Sequence, residues 1–182
     1  MSDTPLWLAF PHAYDVAHER TVRGSLREVV YYPGARRDGG SDGAWLRIVP
    51  QERPPWTGVF ASELVAGRLS VVASWPDPHA LVVALGGDPY VVDVRDPDRW
   101  GRLDVPGARL LHPLPERGLA LLLGTEVLAA YDAQGLAWES GPLGQGAAWL
   151  GVLDEEVHLR SGDLLHRVDL RHGRTVSEPA PW

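Results

Sequence analysis

Two stretches of the chain share the spacing His-x-x-Asp-x-x-His: His12, Asp15 and His18, and His166, Asp169 and His172. Two imidazoles and a carboxylate make a metal-ligand set if they converge to about 2 Å from one ion. Steps of three keep such groups on one side of a helix and send them to opposite faces of a strand. Ala13 to Arg20 is expected to hold one or two helical turns, with Glu19 beside the triplet, so the N-terminal set is the better candidate for a metal-dependent hydrolase. Gly141-Pro-Leu-Gly-Gln-Gly146 has the glycines of a phosphate loop but not the dinucleotide order, and it contains a proline and no lysine, so it reads as a connection. Asp38-Gly-Gly-Ser-Asp-Gly43 offers carboxylates to calcium without the EF-hand alternation or its terminal Glu. Asp154-Glu155-Glu156 reads as a solvated turn, since a general acid and base need two different environments. No Gly-x-Ser-x-Gly elbow activates a serine, and Ser25 and Ser140 have no sequence reason to be nucleophilic. No catalytic residue, metal ligand or cofactor is assigned.

What the chain lacks narrows its chemistry further. Its 182 residues include 17 Arg and no Lys, no Asn, no Cys and one Ile, Ile48. Without Cys there is no disulfide framework, thiolate metal site or cysteine nucleophile. Without Lys there is no P-loop lysine, Schiff base or kinase strand lysine. The Arg-for-Lys bias is that of a GC-rich, bacterial genome. Net charge is −7, and the basic spots Arg36-Arg37 and His166 to Arg174 each have an aspartate at hand, which argues against nucleic-acid binding. The acidic balance suits a basic partner and solubility. No run of about 18 apolar residues is present to cross a membrane, and Met1 to Phe10 lacks the basic region of a signal peptide. A cytoplasmic location is expected.

The elements that must carry any site are short. Gly 20 and Pro 16 are spread along the whole length, which punctuates many strands rather than a few helices. Three segments share one order of features. Trp75 to Gly87 leads to Asp88-Pro-Tyr-Val-Val-Asp93 and then Trp100. Leu114 to Gly124 leads to Thr125–Asp132, Gln134-Gly135 and Trp138. Val152 to Gly162 leads to Asp163–Asp169, His172-Gly173 and Val176. The marker aspartates Asp93, Asp132 and Asp169 recur 39 and 37 positions apart, a period of propeller blades. Each unit reads as strand, glycine turn, strand, polar turn, strand. The apolar runs Leu81–Leu85 and Leu119–Leu123 are short and bounded by Pro and Gly, as buried strands are. The first glycine permits positive φ in the hairpin. The aspartate can accept a bond from the backbone two residues on. Gly135 and Gly173 supply the left-handed residue of the next turn, and Trp100, Trp138 and Val176 are expected to return inward.

Ala130-Tyr-Asp-Ala-Gln-Gly-Leu-Ala-Trp138 resembles the repeat of the pyrroloquinoline-quinone-type β-propellers, in which Ala-x-Asp, Gly and Trp follow in this order. Val168-Asp-Leu-Arg-His-Gly173 matches the Asp and Gly but has Val176 in place of Trp. Val92-Asp93 to Trp100 matches the Asp and Trp but replaces the glycine turn by Asp96-Pro97-Asp98. The segment Trp56 to Trp100 is also similar to uncharacterised small bacterial β proteins. The resemblance covers residues ~75–177 and implies blade-like β-meanders. It does not imply the quinone, whose site a full propeller forms.

The expected fold is therefore all-β, a single domain over 1–182. It is a propeller-like stack of three blade-like repeats, 74–112, 113–150 and 151–182, on an irregular N-terminal β unit, 1–73; the alternative is an open β-sandwich. Within the N-terminal unit, Ser25–Tyr32 and Ala44–Val49 read as strands around an exposed loop, Pro33–Gly43, and Val59–Val72 adds one or two more. Most of the eight tryptophans are core fillers between sheets. Trp7 and Trp182 near the termini, and Tyr31-Tyr32 with one ring in and one out, are candidates for an exposed binding platform. The expected function is non-catalytic protein binding, in the manner of an immunity or inhibitor protein for a basic partner; a small-molecule or carbohydrate binder using exposed aromatics is the alternative.

Overall fold

The computed structural model describes residues 4–19, 28–35, 43–62, 66–86 and 88–180, and among them it is all-β, with a single 3-10 turn at Pro115–Arg117 and no α-helix. The chain divides into two compact units, Met1–Asp104 and Val105–Trp182. Each has its own core.

The first unit holds nine strands: β1 (Leu6–Trp7), β2 (Tyr14–His18), β3 (Glu28–Tyr31), β4 (Gly43–Pro50), β5 (Trp56–Ala61), β6 (Ser70–Ser74), β7 (Ala80–Leu85), β8 (Tyr90–Asp93) and β9 (Asp96–Arg102). They form two sheets, ordered β2-β4-β5-β3 and β1-β6-β7-β8-β9. Leu46, Ile48, Trp56 and Phe60 of the first sheet share a buried cluster with Val72, Leu81, Val83 and Val92 of the second. The expected helical turns at Ala13 to Arg20 are replaced by β2. Tyr14 and Val16 are buried while Asp15 and Ala17 face out, and this period of two is a strand's, not a helix's. β1 runs parallel to β6, and β6 pairs with β7.

The second unit holds β10 (Leu110–Leu114), β11 (Leu119–Leu123), β12 (Leu128–Asp132), β13 (Gly135–Glu139), β14 (Ala148–Leu153), β15 (Glu156–Ser161), β16 (Leu164–Asp169) and β17 (Thr175–Pro179). Two antiparallel four-stranded meanders result, β10 to β13 and β14 to β17. Leu121, Leu128, Trp138, Leu143, Leu159 and Val168 are among the side chains of their common core. Each repeat thus has four strands rather than three. The first strands of the three consecutive meanders, β6, β10 and β14, begin at Ser70, Leu110 and Ala148.

The marker aspartates do the same work three times. Asp93, Asp132 and Asp169 each end the third strand of a meander. Their carboxylates accept the backbone N–H two residues on, from Arg95 at 2.9 Å, Gln134 at 2.7 Å and Arg171 at 3.0 Å. Gly173 closes its turn at φ +68, as its position in the repeat requires. Gly124 differs from expectation. It is absent from the positive-φ glycines, and a Cβ there would lie 2.9 Å from the Pro106 carbonyl oxygen, so close approach and not handedness selects glycine.

A second recurrence was not visible in the chain. The Trp138 indole N–H donates to the carbonyl of Leu170, the residue after Asp169, at 2.9 Å. The Trp56 indole N–H donates to the carbonyl of Val94, the residue after Asp93, at 3.0 Å. In both units a buried tryptophan of one sheet is thus pinned to the turn that an aspartate fixes in the next. Trp100 and Val176 depart from the expected inward return: they are 39% and 54% exposed. Trp100 stands edge-on to Tyr32 and Tyr90, at 6.0 and 5.6 Å between centroids, and Val176 lies on an edge strand.

Candidate functional site

Of the four aromatic residues chosen for a binding platform, Trp7, Tyr31 and Tyr32 lie among the described residues. Trp7, on the two-residue strand β1, is 44% exposed. Tyr31 is half-buried, edge-on to Trp45 at 6.5 Å. Tyr32 is the inward ring: it stacks on Phe60 at 4.2 Å and donates its hydroxyl to the Pro97 carbonyl at 3.0 Å. Burial, with Asp98 and Glu28 nearby, pushes that hydroxyl's pKa well up. Tyr32 is therefore core and is withdrawn from the platform. Trp182 lies outside the described residues, as do residues 38–42 of the calcium candidate and the Arg36-Arg37 pair.

In neither histidine triplet do all three side chains converge, although in the second the His172 Nδ1 lies 3.2 Å from the Asp169 carboxylate. In β2, Asp15 and His18 are three apart and so face opposite ways. The His12 Nδ1 lies 2.9 Å from the Phe10 carbonyl oxygen, and the His18 Nε2 2.7 Å from that of Thr4. His166 is buried with Nδ1 2.8 Å from the Ser177 hydroxyl. Asp169 is held in its turn by the Arg171 and His172 N–H groups. Among the described residues, no three His, Asp or Glu side chains cluster in a way that could hold a metal ion.

The feature that does assemble is the outer face of the last sheet. In β15 and β16, Val157, Leu159, His166 and Val168 turn toward the core and are buried. Alternation sends Glu156, His158, Arg160, Leu165, Arg167 and Asp169 to the other side. The register sets His158 beside Arg167 and Arg167 beside Val176, Arg160 beside Leu165, and Leu153 beside Glu156. Arg167 sits in the middle, its two terminal nitrogens 3.8 Å from Glu156 and 3.6 Å from Glu178. Its Nε is buried without a hydrogen-bond partner. Leu153 and Val176 flank this network, and Leu153 is 59% exposed. Val152 and Leu164 of the same sheet are also exposed, but their register with Val157 and Ser161 gives them the parity of the opposite face, so Leu153 and Val176 are the paired aliphatic groups of this one. A central arginine between exposed aliphatic groups is a composition that protein interfaces use.

The turn feeding this sheet is the solvated carboxylate turn expected at 154–156, and it is strained. Asp154 and Glu155 have φ of +48 and +70, the two positive angles of a tight type I′ hairpin, usually given to Asn and Gly. The Glu155 carboxylate accepts a bidentate pair from Arg117, and Arg171 lies 3.4 Å away. The hydrogen bonds from Arg117, more than its charge or that of Arg171, pull the Glu155 carboxyl from 4.5 down to about 2. A carboxyl lowered on folding adds stability that is complete above its ordinary value and is lost as pH falls through the lowered one. A carbon-detected titration of Glu155 should therefore show a midpoint near 2, and Arg117→Gln should return it toward the ordinary carboxylate range. An unshifted midpoint in the wild-type protein would contradict the pairing.

No family model matches the chain, and no curated protein matches it. Solved structures do. The S. cerevisiae Dbp5 variant bound to Nup159, a Gle1 variant, IP6 and ADP contains a chain that matches at 9% identity and TM-score 0.45, over 98% of this chain and 52% of that one. The N-terminal domain of Nup159 matches at 10% identity and TM-score 0.43, over 98% and 53%. Kluyveromyces lactis Hsv2p matches at 16% identity and TM-score 0.31, over 57% and 33%. The chain spans about half the length of the first two and a third of the last.

Proposed function

We propose that this chain is a non-catalytic protein-binding module built from blade-like, propeller-type β-meanders, and that it engages its partner through the outer face of β14 to β17. The observation that carries the reading is the pair of exposed aliphatic side chains, Leu153 and Val176, that flank the Arg167 network on that face. Burying Leu153 and Val176 against a partner would contribute by the hydrophobic effect, about 25 cal/mol per Å² of apolar area removed from water. The partner we infer is a basic protein, because a net charge of −7 raises its encounter rate at low salt. An inhibitor-like, cytoplasmic role fits that pairing. The recurring tryptophan-to-carbonyl bond after each marker aspartate, Trp56 to Val94 and Trp138 to Leu170, supports the blade-like reading.

The test compares capture from native extract by the wild-type chain and by Leu153→Glu/Val176→Glu. Both residues are exposed, so the variant is expected to keep the wild-type circular dichroism and melting temperature. A stoichiometric basic protein should be captured by the wild type, in a salt-sensitive manner, and be lost with the variant. Absence of any stoichiometric partner, or capture that the variant leaves unchanged, overturns the reading.

A further inference from the structure

The hairpin that joins β14 to β15 departs from the chemistry of its own turn. Leu153 and Glu156 pair across it, and Asp154 and Glu155 fill the two left-handed places. A side chain at positive φ crowds its own backbone, which is why Asn and Gly usually take both positions. Here both carry carboxylates. The reason for keeping them lies in what Glu155 touches.

Glu155 is held at both ends. Its carbonyl oxygen accepts the Leu170 N–H at 2.9 Å. Its carboxylate takes the Arg117 fork and has the Arg171 Nε at 3.4 Å. Arg117 comes from the 3-10 turn between β10 and β11, and Leu170 and Arg171 from the turn that Asp169 fixes after β16. Glycine at 155 would relax the backbone and lose both ion pairs. A lone exposed ion pair contributes little, whereas a forked arginine with a second cation on the same carboxylate is the arrangement that counts. The same hairpin carries Leu153, one of the two exposed aliphatic groups of the interaction face, and Glu156, a partner of Arg167.

We propose that Arg117, which belongs to the neighbouring meander, is a positioning residue for recognition, a role that rests on the outer face of β14 to β17 being the binding surface. With Arg171 it clamps Glu155 in the left-handed place and so fixes where Leu153 and Glu156 stand. Without the clamp the hairpin opens locally more often, as exposed turns with few buried contacts do, and Leu153 leaves its place beside the Arg167 network. Salt loosens the clamp, because its charges are exposed and screened.

Amide hydrogen exchange on four forms of the intact chain tests this: wild type, Arg117→Gln, Asp154→Asn/Glu155→Gly, and the three changes together. An Asn-Gly pair adopts the turn unaided, so it should make the clamp dispensable. In the wild-type background, Arg117→Gln should speed exchange at residues 153–156 about tenfold, as expected for losing a charged network, and leave the amides of β11 and β12 as they were. In the Asn-Gly background it should change neither. Added salt should follow the same pattern. Capture of the basic partner should be weakened by Arg117→Gln and restored when the Asn-Gly pair is added, a rescue that a loss of stability elsewhere in the unit would not give. Unchanged exchange at 153–156 in Arg117→Gln, an equal effect in both backgrounds, or capture indifferent to a loosened hairpin would each overturn the proposal. Exchange that behaves as expected while no form captures a partner would uphold the clamp and sink the binding reading instead.

Discussion

Trp138→Ala should be the most damaging single change in the second unit, with an expected loss of about 3–5 kcal/mol, the usual range for deleting a buried aromatic side chain. Two losses coincide. The ring vacates the core it shares with Leu121, Leu143, Leu159 and Val168. The Leu170 carbonyl, on a buried residue, loses its 2.9 Å donor, and an orphaned buried acceptor costs about 1–3 kcal/mol in its own right. Trp138→Phe separates the two, keeping most of the ring and removing only the N–H. It should cost markedly less than alanine. Urea unfolding followed by circular dichroism gives the comparison, with an unchanged slope marking a stability effect. A loss below about 1 kcal/mol for Trp138→Ala, the size of a mutation at an unimportant site, would mean that the indole does not join the two sheets.

Gly173→Ala is expected to cost about 2–5 kcal/mol, from a left-handed backbone and an overfilled contact. The backbone is at φ +68, and the added Cβ would stand 2.6 Å from Cε3 of Trp138. The two effects are separable because only one involves the indole. In a Trp138→Ala background the ring clash disappears, and Gly173→Ala should then cost little more than its conformational share. The Glu139 carbonyl, 3.1 Å from the same Cβ, stays in place. A double-mutant cycle should give a coupling of about 1 kcal/mol or more, as contacting residues do. Strict additivity would show that the glycine is selected for its backbone alone.

What could be read from the chain was local. Asp93, Asp132 and Asp169 announce their turns because an aspartate acts on the backbone within two residues. Leu81–Leu85 and Leu119–Leu123 announce buried strands by length and punctuation. Gly173 follows from the turn it completes. What depends on neighbours in space was lost. Trp100 occupies the place in its repeat that Trp138 occupies in the next, yet one is exposed and the other buried, because burial is decided by what packs on the residue and not by the residue. Tyr14-Asp-Val-Ala-His18 is too short for a period of two to stand out against helix, and the metal triplet was drawn from that error. The outer face of the last sheet was invisible for a different reason. Arg167, Glu156, Glu178, Leu153 and Val176 come from four strands, and only hydrogen-bonded register sets them side by side.

The edge strand β17 reads Thr-Val-Ser-Glu-Pro, with Glu178 and Pro179 at its end. An open edge can recruit a further strand and seed fibrillar growth, and a carboxylate and a residue with no N–H are devices that blunt such templating. Association by backbone extension is thereby discouraged at this end of the fold, and recognition there falls to side chains.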